Sequence, residues 1–336
     1  MQIKTILMTG LLLSGGGAVA AASLPALNLN TDAVTVSGLS SGGYMATQFH
    51  LAHSDWVKGA AVIAAGPYYC GQNDITTALS QCVDKVESSI PVDALNKKAR
   101  QWADEGKLAS LDNLKDSKVW LLHGSKDKKV TRTAADLLNQ QYVAWAGEDA
   151  VEYVSDKPFA HLFPTKNKGT ACTISESPYI GNCDYDAAGA LLTHLIGNLQ
   201  QPDDALSGDV VSFSQAELGG EPAKTLAETG YAYVPDSCKE GAQCRVHISF
   251  HGCNQYADAV GRDYVDNTGL NRWADDNQMV VVYPQTKKSL FMPLNPQGCW
   301  DWWGYTGDEY ATREGKQVKA VANIVNALSN GAEKEK

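Results

Sequence analysis

Gly38-Leu39-Ser40-Ser41-Gly42 sets one serine between two glycines, each two positions away. This is the spacing of a nucleophilic serine held on a sharp turn between a strand and a helix. The turn strains the backbone at the serine, so its neighbours must be small. A helix starting just behind the serine favours negative charge beside it. The backbone N–H of Ser41, the next residue, is a natural donor to an oxyanion. The competing reading is an ordinary glycine turn that caps a helix. The apolar strand pattern up to Ser37 and the helix pattern from Gly42 favour the nucleophile.

A serine hydroxyl needs a base to take its proton, and the base needs a carboxylate to orient it. Behind such a turn the chain order is acid, then histidine. Asp127 follows the apolar run Lys118–His123, at the edge of a sheet where reactive groups collect. His161 lies in the loop 157–164, after the next strand pattern. The expected triad is Ser40, Asp127 and His161. Asp127 also has a plain reading, as a solvated charge among Lys126, Lys128 and Lys129; Asp116 and Asp156 are weaker candidates. His50 and His53 fall on the helix behind the serine, His123 in a strand and His194 on a helix, all places suited to packing or solvent.

Short apolar runs alternate with helical patterns. Strands are expected at Ala33–Ser37, Lys58–Ala64, Lys118–His123, Ala150–Val154, Asp209–Ser214, Tyr231–Pro235, Arg245–Phe250 and Met279–Tyr283. Helices are expected at Gly42–His53, Pro91–Glu105, Thr131–Ala146, Leu270–Asn277 and Gly315–Leu328. Continuous apolar runs such as Met279–Tyr283 suit strands covered on both faces. The fold class is therefore α/β, a mostly parallel sheet with helices on both faces.

The chain has 336 residues and a formal net charge of −10. Acidity disfavours nucleic acid and anionic lipid as partners. Residues 1–22 carry Lys4, the apolar run Ile6–Leu13 and a small-residue end, the pattern of a secretory signal peptide. The run is too short and too broken by glycine to anchor in a membrane. Residues 23–336 then form one catalytic domain, secreted to the periplasm or outside the cell and read as a monomer. Eight cysteines suit an oxidising compartment and four disulfides. Eight allow about 105 pairings; closing nearest neighbours gives Cys70–Cys82, Cys172–Cys183, Cys238–Cys244 and the long Cys253–Cys299. No His/Cys spacing suggests a metal, and no cofactor is expected.

His251-Gly252-Cys253 ends the strand Arg245–Phe250. It resembles the His-Gly-Gly loop that lends a second oxyanion-hole N–H in α/β-hydrolases. There the loop precedes the nucleophile; here it follows the histidine. The strands at 209–214 and 231–235 read like the first two of that fold, Met279–Tyr283 like the fourth, and Gly315–Leu328 like the helix feeding the nucleophile strand. All parts are present with their halves exchanged, as a circular permutation would leave them. The chain ends near Leu27 and Asn330 should then lie close together.

With SGLSSGGYMATQ (37–48), HGSKDKKV (123–130), FAHLFPT (159–165), FHGCNQ (250–255) and CWDWWGY (299–305), the chain resembles the extracellular poly(3-hydroxybutyrate) depolymerases of the circularly permuted type. The resemblance spans nearly all of residues 23–336. It implies Ser40, Asp127 and His161 as triad, the N–H groups of Ser41 and Cys253 as oxyanion hole, and Trp302 at the substrate cleft. It implies a serine esterase that acts on a neutral polyester or its oligomers through an acyl-enzyme. The alternative is a secreted feruloyl or acetyl-xylan type carbohydrate esterase, since unpermuted relatives share these elements. The plain reading of Trp300, Trp302 and Trp303 is a core cluster. In an irregular segment at least one of them is expected to stay exposed, and exposed tyrosine, tryptophan or methionine would adsorb to a solid polyester.

Overall fold

A computed structural model describes residues 26–330 apart from 87 and 204. The expected signal peptide lies outside the described residues. The strands are β1 Val34–Leu39, β2 Val57–Ile63, β3 Lys118–Leu122, β4 Val151–Val154, β5 Phe163–Thr165, β6 Thr170–Ala171, β7 Ile180–Asn182, β8 Asp209–Ser214, β9 Thr229–Val234, β10 Arg245–Phe250 and β11 Met279–Tyr283. Eight form one sheet in the order β4-β3-β2-β1-β10-β11-β9-β8, and β5-β7-β6 form a small second sheet. From β4 to β11 all pairs are parallel; β9 and β8 close the far edge antiparallel.

The continuous apolar runs divide their residues between two cores because successive side chains point to opposite faces. Val119 and Leu121 of β3, and Val280 and Val282 of β11, join the core under the helices Ser41–Ala52, Val92–Asp104, Arg132–Ala146 and Lys316–Asn330. Trp120 and Leu122, and Met279, Val281 and Tyr283, join the opposite core with Leu191 and Leu192 of the helix Ala187–Ile196. Both faces of the sheet are covered, as the unbroken hydrophobicity demands.

The exchanged halves meet at β1, which pairs with β2 on one side and β10 on the other. The N–H of Leu27 donates to the Leu328 carbonyl at 3.0 Å, so the two ends of the described chain are neighbours, as a permuted chain requires. The structure departs from the sequence reading at several points. β1 runs to Leu39 rather than Ser37, so the serine follows the strand directly. The helix Ile75–Gln81, whose N-cap is Asp74, is absent from that reading, and the helix that carries His194 is Ala187–Ile196, bounded by Asp186 and Gly197. The small sheet is built of strands too short to show a period, tied by the Cys172–Cys183 disulfide.

Candidate active site

Ser40 has φ 58° and ψ −120°, a strained positive-φ conformation between β1 and the helix Ser41–Ala52. For a residue with a Cβ this costs of order 1–3 kcal/mol and persists only where surrounding contacts impose it. Ser40 N–H donates to the Ile63 carbonyl at 2.9 Å, and its own carbonyl accepts from Tyr44 N–H at 3.0 Å. Gly42 presses the first helical turn against the end of β10: a Cβ there would lie 2.1 Å from the Phe250 carbonyl oxygen and 2.4 Å from that of His251. The elbow and the loop after β10 are thereby held in contact.

Asp127 reaches the same edge from β3. Its Oδ1 accepts from the N–H of Lys129 at 2.7 Å and of Val130 at 3.0 Å. Its Oδ2 meets His161 Nδ1 at 2.8 Å, and its side chain is closed off from solvent. Burial pushes this carboxyl up, but His161 and the two amides outweigh it and hold it below the ordinary carboxylate value. A carboxylate only accepts, so Nδ1 carries the proton and Nε2 keeps its lone pair. The acid and histidine loops nest closely at Gly124, where a Cβ would stand 2.1 Å from the Phe159 carbonyl oxygen. Ser175 Oγ donates to the His161 carbonyl at 3.0 Å, which ties the histidine loop to the disulfide-bonded excursion beyond it.

Ser40, Ser41, His161, Cys253 and Trp302 line one cleft of about 930 Å³, with Asp127 behind His161. Of the seven histidines, only His161 lines it. Among the described residues, no group accepts the N–H of Ser41 or of Cys253. The cysteines pair as 70–82, 172–183, 238–244 and 253–299. The last bond ties the His251-Gly252-Cys253 loop to the tryptophan loop.

The tryptophans sit differently from the expectation of an exposed ring. Trp300 is fully buried. Trp302 is 6% exposed and stacks on Tyr44, centroids 4.9 Å apart and planes 16° from parallel. It is therefore core and cleft wall together, while half-buried Trp303 and Tyr305 share the wall. Asp301 shapes this loop: its carboxylate accepts from the N–H of Trp303, Gly304, Tyr305 and Thr306 and from the Thr306 hydroxyl. The exposed apolar surface comes instead from residues the sequence reading passed over. Phe291 is 84% and Met292 87% exposed, and Ile75, Leu79, Met292 and Leu294 rim the cleft. The available signal was Leu290-Phe291-Met292-Pro293-Leu294, an apolar run with no helical or strand period.

Strand order, elbow and cleft together define a circularly permuted α/β-hydrolase. No family model matches the chain. It is 39% identical over 325 residues to a poly(3-hydroxybutyrate) depolymerase of Delftia acidovorans, covering 95% of this chain and 64% of that protein's length. It is 38% identical over 331 residues to a polyhydroxybutyrate depolymerase of Talaromyces funiculosus, covering 94% of this chain and 95% of the relative. The crystal structure of the PHB depolymerase from Penicillium funiculosum superposes with a TM-score of 0.86 at 36% identity, covering 93% of this chain and all of that one. A serine-to-alanine variant of a PHB depolymerase, complexed with an R3HB trimer, also superposes with a TM-score of 0.86, at 35% identity. The chain belongs to the poly(3-hydroxybutyrate) depolymerase family, whose named members are carboxylic ester hydrolases.

Proposed function

We propose that the protein is a secreted serine esterase that cleaves the ester bonds of poly(3-hydroxybutyrate) or its oligomers. The observation that carries this is the His161–Asp127 hydrogen bond of 2.8 Å facing the cleft that also holds Ser40. His161 Nε2 takes the Ser40 proton as Oγ attacks the ester carbonyl. The amides of Ser41 and Cys253 stabilise the tetrahedral oxyanion. The oxyanion collapses, the C–O bond to the leaving alcohol breaks, and His161 returns its proton to that alcohol. Water, deprotonated by His161, then attacks the acyl-enzyme and releases the hydroxyacid and free Ser40.

Trp302 supplies an apolar wall for the methyl-bearing chain, and the R3HB trimer bound by a related depolymerase supports a cleft of a few units. Four disulfides support action in an oxidising compartment. The apolar rim of Ile75, Leu79, Met292 and Leu294 suits a water-insoluble polyester better than a hydroxyl-covered polysaccharide. The deciding assay sets clearing of a suspension of the hydroxybutyrate polymer against release of ferulate or acetate from xylan. Clearing with soluble hydroxyacid is expected; ferulate or acetate release without clearing would place the protein among the carbohydrate esterases.

A further inference from the structure

We propose that His251 and Thr286 are positioning residues that aim the Cys253 amide into the cleft, by closing a ring of bonds around the Gly252–Cys253 peptide. The inference rests on reading Cys253 as an oxyanion donor.

His251 follows β10 and is wholly buried, with the rings of Trp300, Tyr264 and Tyr256 around it. Its Nδ1 lies 2.7 Å from the Gly252 carbonyl oxygen. Its Nε2 lies 3.2 Å from the Thr286 N and 3.3 Å from the Thr286 Oγ1. A carbonyl only accepts and an amide N–H only donates, so these partners specify one tautomer. Nδ1 carries the hydrogen and gives it to Gly252, and Nε2 receives the Thr286 N–H. Burial holds the imidazole neutral, its pKa pushed down to about 4, in keeping with one donor and one acceptor.

The Gly252 carbonyl and the Cys253 N–H belong to one planar trans peptide and point in opposite directions. Pinning the carbonyl to buried His251 turns the N–H away from it, towards the space shared with Ser40. The ring closes through covalent bonds. Cys253 is joined to Cys299 by a disulfide, and the adjacent Gly298 carbonyl accepts the Thr286 hydroxyl at 2.5 Å. Thr286 is the hub: its O–H holds the tryptophan-loop side and its N–H holds His251. A second clamp grips the preceding peptide, since Gly252 N–H donates to Gln255 Oε1 at 2.7 Å. The peptide thus has little freedom to rotate, which is the preorganisation an oxyanion donor needs.

Two replacements separate the links. His251→Asn places an amide nitrogen where Nδ1 was, keeping a donor for Gly252 and losing the Thr286 contact. His251→Gln reaches only the Nε2 position, keeping an acceptor for Thr286 and releasing the Gly252 carbonyl. Both, with Thr286→Val, are made in the full chain and compared on a soluble p-nitrophenyl ester, with active sites counted by a serine-reactive phosphonate. A trifluoromethyl ketone, which forms an anionic adduct with the serine, reports the oxyanion hole directly. The expected result is a fall in kcat of about 10²-fold for His251→Gln with KM little changed, the size of losing one oxyanion donor. Affinity for the ketone should fall in parallel, and His251→Asn should restore most of both.

Folded, titratable His251→Gln with wild-type kcat and ketone affinity would overturn the proposal. If that variant does not fold, Thr286→Val decides: ketone affinity lowered more than KM rises supports the ring, and equal effects refute it. A wild-type protein that neither phosphonate nor ketone inhibits overturns the Ser40 reading, and this inference with it.

Discussion

Gly38 and Phe250 stand opposite each other in the parallel pair of β1 and β10. Two residues beyond one lies Ser40, and three beyond the other lies Cys253. This register brings Ser40, the proposed nucleophile, to the same sheet edge as the Cys253 amide from the last third of the chain.

Ser40→Ala should lower ester hydrolysis by about 10⁴-fold or more, since the attacking atom is gone and only binding and the oxyanion donors remain. Its melting temperature should hardly move. Ser40→Gly should be equally inactive yet more stable than Ser40→Ala by about 1 kcal/mol, because φ 58° no longer burdens a Cβ. Urea unfolding of the two variants checks this, and equal midpoints would mean the elbow stores no strain.

Asp127→Asn should cost as much as ~10⁴-fold in kcat, because an amide nitrogen facing Nδ1 favours the wrong tautomer of His161. The same change should alter acid stability. The Asp127 carboxyl is held below its ordinary value of 3.8, so the folded state binds this proton less readily than the unfolded chain. Its contribution is complete above the unfolded value and is lost as pH falls through the lower folded one. Wild-type stability should therefore drop more steeply with acidification in that range than stability of the Asn variant, as urea midpoints measured against pH would show.

Gly42→Ala should destabilise the fold by about 1–3 kcal/mol, as overpacking does, because its Cβ meets the backbone carbonyls of Phe250 and His251 rather than a movable side chain. The elbow and the Cys253 loop would be forced apart, so kcat should fall even in protein that remains folded. A stable variant with normal kcat would show that this contact is not needed for catalysis.

Phe291→Ser, outside the cleft lining, should slow erosion of a polymer film several-fold while leaving kcat/KM on a soluble ester nearly unchanged. The Phe291 side chain is 84% exposed, so little packing is lost. Quartz-microbalance adsorption should fall with film erosion; unchanged adsorption would remove this segment from surface binding.

Much of this protein is decided by local stereochemistry and is legible in its residues. A serine on a strained turn needs the small neighbours of Gly38-Leu39-Ser40-Ser41-Gly42 whatever surrounds it. Strands covered on both faces must read as apolar runs, as Met279–Tyr283 does. The positions of Asp127 and His161 beyond strands, and of His251-Gly252-Cys253 behind β10, follow from those runs, and so does the exchanged order of the halves. Long-range contacts decide the rest. Trp302 becomes core and cleft wall at once only because Tyr44 stacks on it. The Leu290–Leu294 run stays in solvent because, among the described residues, no element packs over it, a fact of the neighbours rather than of the run. His251 acquires one tautomer only from Gly252 and Thr286. Backbone strain and side-chain alternation depend on a residue and its chain neighbours, whereas burial and hydrogen-bond partnership depend on segments far apart in sequence that only the folded sheet brings together.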